Sequence, residues 1–162
     1  MAKTQPQETD KLESARQQGQ AQFDSIKEMI EELERFRADE AGNMESSIED
    51  AEQRIHEDPL STQVRSGWYS PGARDAATAP AEYKILLCTG GPACRIIGTL
   101  SEHGEPETAR LEVQDWFQPW TQIRPVAGMI GTEGDERDPI RPQYDSEPVM
   151  LAYARCFYFG EG

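Results

Sequence analysis

At 162 residues the chain suits one domain, or a small domain carrying a helical extension. Hydrophobic residues make up 36% and charged residues 28%, so a core is expected over only part of the chain. The formal charge of −14 has the same sign as nucleic acid backbones and anionic membranes. It disfavours direct binding of DNA, RNA or lipid and favours a basic partner, or a protein surface that normally holds nucleic acid.

Residues 1–19 are polar and almost free of apolar side chains, which predicts a polar tail or frayed helix. They contain no apolar run of the kind a signal peptide needs, and no stretch approaches the ~18 apolar residues of a membrane span. A cytoplasmic location is therefore expected. From Phe23 a stripe appears, with Ile26, Met29, Ile30, Leu33 and Phe36 at helical spacing. Gly42-Asn43 interrupts it. Met44, Ile48, Ala51 and Ile55 form a second stripe whose phase does not match the first, so two helices are predicted across residues 20–58. Asp58-Pro59 closes the second, because a residue before proline is pushed out of helical geometry.

Beyond Pro59 the period shifts toward two. Residues 59–162 read as an antiparallel β domain, which makes the whole an α+β protein with about five strands. The expected strands are Thr62 to Tyr69, Glu82 to Cys88, Cys94 to Leu100, Thr108 to Val113 and Val149 to Phe159. Ser70-Pro71-Gly72 and Gly90-Gly91-Pro92 mark turns, and residues 102–105 a hairpin. Residues 125–148, rich in Gly, Pro and acids, predict a long loop.

Few motifs carry chemistry. Thr89 to Ala93 follows a strand but lacks the Lys-Ser/Thr pair of a phosphate loop and leads into another strand, so it reads as a hairpin turn. His56 and His103 have no His or Cys at metal-ligand spacing, and Cys88 and Cys94 are too far apart for a zinc knuckle. Cys88, Cys94 and Cys156 are an odd number in apolar surroundings and are expected to be free thiols. Glu133, Asp135, Glu136 and Asp138 lack the order of a calcium loop and read as a solvated loop. No cofactor or metal is expected, and the chain reads as a binding protein without enzymatic activity.

Two features remain. Trp116, Phe117 and Trp120 surround Pro119 and either plug the sheet against the helices or form an exposed anchor. The other is charge. Residues 1–58 hold 16 acids and 7 bases, the larger part of the imbalance. With the first stripe inward, Asp24, Glu28, Glu31 and Asp39 project from the opposite face, as do Glu49, Asp50 and Glu57 on the second helix. Carboxylates ~5–6 Å apart at i+3 and i+4 are spaced much as phosphates are along a nucleic acid strand. Such a row either is an ordinary solvated face or occupies a cleft that receives DNA or RNA.

The segments around Asp58-Pro59-Leu60-Ser61 and Ser66-Gly67-Trp68, with Glu82 to Ala93, Leu111 to Trp116 and Tyr153 to Gly162, resemble a group of small acidic proteins of bacteriophages, prophages and plasmids. The resemblance covers about the last hundred residues and implies a mobile-element origin, with no site residues to carry over. Proteins of such elements often inhibit host defences, some by imitating DNA. Together these readings favour an inhibitor of a nucleic-acid-binding defence complex, an anti-CRISPR-like DNA mimic. Its partner would be a CRISPR effector or restriction enzyme, and a homodimer is compatible with it. The alternatives are a phage structural or assembly protein acting through protein–protein contacts and, third, a small enzyme using unpaired carboxylates or a cysteine.

Overall fold

Helix α1, Pro6–Arg37, begins well before the apolar stripe that predicts it. The computed structural model describes residues 6–39, 42, 45–72 and 79–160. Phe23, Ile26, Met29, Ile30 and Leu33 are all buried, and Ala15 and Gly19 continue their line toward the N-terminus. Those two small residues carry little hydrophobic signal, yet they let the helix lie close on the sheet. A Cβ at Gly19 would sit 2.8 Å from Val113 Cγ1. Of the expected polar tail or frayed helix, residues 6–19 are the first turns of a continuous helix about 48 Å long; residues 1–5 lie outside the described residues.

Helix α2, Glu45–Glu57, buries Ala51 and Ile55 against α1. Met44, expected in its stripe, lies outside the described residues. Arg54 reaches Glu32 and Arg37 reaches Glu52, each at 2.8 Å, across the seam between the two helices. Exposed pairs of this kind contribute only about 0–1 kcal/mol each, so they fix relative position more than stability. The helix ends before Asp58-Pro59, as the proline requires.

Five strands follow as an antiparallel sheet in sequence order: β1 (Ser61–Ser66), β2 (Pro80–Cys88), β3 (Ala93–Thr99), β4 (Arg110–Gln114) and β5 (Thr121–Ile123). The α+β expectation and the strand count agree with this architecture, but the identity of one strand does not. Val149 to Phe159 is not a strand. Its first part belongs to helix α3, Glu147–Ala154, and a turn follows. The segment is apolar on nearly every side, so periodicity cannot separate a buried strand from a buried helix. Pro148 in the first turn and the helix formers Met150, Leu151 and Ala152 favour the helix. Met150, Tyr153 and Ala154 are buried at i, i+3 and i+4.

The fifth strand is β5, only three residues long and too short to announce itself. The long loop also carries structure: β6 (Gly128–Ile130) pairs with β7 (Arg141–Gln143) as a separate hairpin. Strand β1 stops at Ser66, short of the expected Tyr69.

One face of the sheet is covered. Tyr83, Ile85, Leu87, Cys94, Ile96, Leu111, Val113 and Ile123 share a single core cluster with the α1 stripe, Ile55, Met150 and Tyr153. The helical region and the β domain therefore have one core. Gln20 ties α1 to the segment after β5, accepting from the Val126 N–H at 2.7 Å and donating to the Val126 carbonyl at 2.9 Å. Lys27 donates to the Ala127 carbonyl at 2.8 Å.

The C-terminal segment closes one end of this core. Phe157 packs edge-on against Tyr153 with centroids 5.3 Å apart, and His56 Nε2 lies 2.8 Å from the Cys156 carbonyl oxygen. The buried Tyr153 hydroxyl donates to Asp58 at 2.8 Å. Burial, then the Asp58 carboxylate, pushes the Tyr153 phenol far above its ordinary value. A phenol raised on folding contributes stability below its unfolded pKa, about 10, and that stability is lost as pH rises beyond it. Tyr153→Phe should cost about 1–2 kcal/mol at neutral pH and flatten the alkaline limb of the stability curve. Urea titrations between pH 7 and 11 measure both, and parallel curves for the two proteins would refute the linkage.

Candidate interaction surfaces

The predicted acidic residues emerge on the outer sides of α1 and α2. Asp24, Glu28 and Glu31 are exposed at i, i+4 and i+7 on the face of α1 opposite its buried stripe. Gln20 donates to Asp24 at 2.9 Å and Lys27 stands 3.8 Å from Glu31, while Glu28 has no hydrogen bond or ion pair among the described residues. On α2, Glu49, Asp50 and Glu57 are exposed, and Gln53 donates to Glu57 at 2.8 Å. Asp39 does not join the row. Helix α1 ends at Arg37, and Asp39 is half-buried in the connection to α2. Sequence periodicity carried the helix two residues too far because nothing apolar marks its end.

The aromatic segment does not plug the sheet against the helices. It forms the turn between β4 and β5 and faces away from them. Trp116 and Phe117 are 63% and 98% exposed, and Phe117 holds a positive φ of 64°. The Trp116 indole lies against Gly91 in the β2–β3 turn, so the two turns support each other at one end of the sheet. Trp120 folds onto the uncovered face, where the Arg95 guanidinium stacks 4.1 Å from its ring centre. The carboxylate rows and the tryptophans therefore lie on different sides of the sheet.

That uncovered face carries residues the sequence reading passed over. Residues directly opposed in an antiparallel ladder point to the same side. The register aligns Arg65 with Glu82; Gln63 with Lys84, Ile97 and Arg110; and Leu86 with Arg95, Glu112 and Gln122. In a strongly anionic protein this face bears four cations against two carboxylates. Glu112 is buried and accepts from Arg95 at 2.8 Å and Arg110 at 3.2 Å. Arg65 pairs with Glu82, and its hydrogen bond holds that carboxyl below the usual range. Lys84 is half-buried and makes no hydrogen bond or ion pair among the described residues. The signal was present as charges at alternate positions of β2 and β4 and single arginines in β1 and β3, but these share one face only once the strands are aligned.

Other candidate chemistry stays bland. Burial pushes the Cys94 and Cys156 thiols upward, for Cys94 with the added effect of the neighbouring Cys88, which disfavours the thiolate a nucleophile needs. Asp135 accepts from the Arg137 N–H at 2.8 Å and Asp138 from Arg141 at 3.2 Å, so these acids shape their own loop. Among the described residues no three His, Cys, Asp or Glu side chains group as metal ligands, and no helix is long and apolar enough to cross a membrane. Comparison with protein-family models, curated proteins and solved structures finds no match to the chain.

Proposed function

We propose that the chain is a non-catalytic acidic binding protein that presents the carboxylates of α1 and α2 to the cationic, nucleic-acid-binding surface of another protein. In the fullest form of this reading it is a mobile-element inhibitor of a bacterial defence complex, a CRISPR effector or restriction enzyme, and it evades host defence in the bacterial cytoplasm by imitating DNA. The observation that carries the reading is the exposed line Asp24, Glu28 and Glu31, held opposite the buried residues Phe23, Ile26, Met29, Ile30 and Leu33. A helix so anchored presents charge at fixed spacing with little ordering left to do on binding, which favours association.

The test is competition with duplex DNA for such an effector. The triple variant Glu28→Lys, Glu31→Lys, Glu49→Lys should lose roughly a hundredfold in affinity, on the order of 1 kcal/mol per reversed charge. Its circular dichroism should match the parent, because all three side chains are exposed. Unaltered affinity rejects the decoy mechanism. Retained affinity with weak salt dependence favours a phage assembly role, a reading supported by the exposed Trp116 and Phe117 in the β4–β5 turn.

A further inference from the structure

The helix-free face of the sheet has the composition of a receptor for negative charge. A cleft of about 420 Å³ lies over Gln63, Lys84, Ile97 and Arg110. It continues past Arg65 and Glu82 to Trp68 and Tyr69, and past Lys84 and Arg95 to Trp120. The cations are arranged in advance. Glu112 fixes Arg95 and Arg110, Trp120 stacks on Arg95, and Glu82 holds Arg65. Each shared carboxylate leaves its arginines with donors to spare, because a guanidinium carries five N–H groups. Lys84, between them, has none of its three donors committed among the described residues.

We propose that this face docks an acidic segment of a partner protein, whose carboxylates pair with Lys84, Arg65 and Arg110 while its apolar side chains rest on Ile97 and Trp120. The occupant follows from charge and shape. An open trough across four strands, spaced about 4.8 Å apart, admits four or five extended residues, and no enclosed pocket isolates a small molecule there. A nucleic acid strand would carry its charge beyond the patch onto the surrounding anionic surface. A short peptide places two or three carboxylates on the cations and ends. Repulsion from the distant helices is screened beyond about 8 Å at physiological ionic strength, so the local surplus decides.

The test uses the full chain and a fluorescein-labelled pentapeptide, Glu-Ser-Glu-Ser-Leu, whose alternate residues put two carboxylates and one apolar side chain on the same side, followed by anisotropy at 50 mM and 300 mM salt. Binding is expected at low salt, weakened by high salt, and reduced at least tenfold by Lys84→Glu and severalfold by Lys84→Ala. Arg137→Glu, on the exposed β6–β7 turn, should bind as the parent does. So should the Glu28, Glu31, Glu49 reversal, which separates this face from the helical one. The proposal is overturned by absence of peptide binding, by a Lys84→Glu variant that binds normally, or by displacement with oligo-dT at equal or lower concentration. It is also overturned if sedimentation shows self-association that Lys84→Glu abolishes, because the occupant would then be a second copy.

Discussion

Gly98→Ala is expected to lower the melting temperature by about 6–12 °C, from a loss of roughly 3 kcal/mol or more. Gly98 stands opposite Tyr83 in the β2–β3 register, and the Tyr83 ring covers it. A methyl group there would overlap the Thr108 carbonyl oxygen and come within 2.7 Å of the Thr108 carbon and 2.8 Å of Tyr83 Cε1. The obstacle is backbone and cannot rotate away. The same carbonyl accepts the Tyr83 hydroxyl at 2.6 Å, and the Thr108 hydroxyl accepts the Thr99 N–H at 2.9 Å. Displacing Thr108 therefore strains several bonds at once, and the roughly 0.5–1 kcal/mol that alanine recovers over glycine in a strand does not compensate. Gly67→Ala is the control, since its new Cβ would meet only Ala81, at 3.8 Å. Thermal melts within 2 °C of each other for these two variants would mean that the approach at Gly98 is not as close as described.

Phe23→Ala should cost about 3–5 kcal/mol, the range for removing a fully buried aromatic side chain. Phe23 is 0% exposed and is the largest fully buried side chain that α1 contributes. The helix meets β3 and β4 through this stripe, with Gly19 lying close to Val113 at its upstream end. Exposed ion pairs at the α1–α2 seam are too weak to hold the layer in its absence. The loss should appear in urea unfolding followed by both circular dichroism and tryptophan fluorescence, whereas Leu12→Ala, at an exposed position of the same helix, should change little. A cost below 1 kcal/mol for Phe23→Ala would show that α1 is not fastened by its apolar stripe. The acidic row would then have no rigid support.

Both effects arise from the covered side of the sheet, while both proposed binding surfaces lie elsewhere. The charge-reversal variants of α1, α2 and β2 change exposed or half-exposed side chains with few or no internal partners, so they are expected to alter the proposed binding without touching the core.

Periodicity and local Gly and Pro chemistry determined the two helical stripes, the break between them, the stop at Asp58-Pro59 and the β2–β3 hairpin, because each depends on neighbours within a few residues. The exposure of Asp24, Glu28 and Glu31 followed from the same arithmetic, since a buried stripe dictates its own opposite face. Tertiary structure decided the rest. Residues 6–19 became helix because Ala15 and Gly19 meet the sheet, a contact their small side chains do not advertise. Val149 to Ala154 has no period to read because it is apolar on nearly every side, and its helix, favoured locally by Pro148 and the helix formers after it, is fixed by packing against α1. Trp120 went to the uncovered face, and four cations from four strands came together there, because strand register sets which distant residues are neighbours. No local pattern encodes that register.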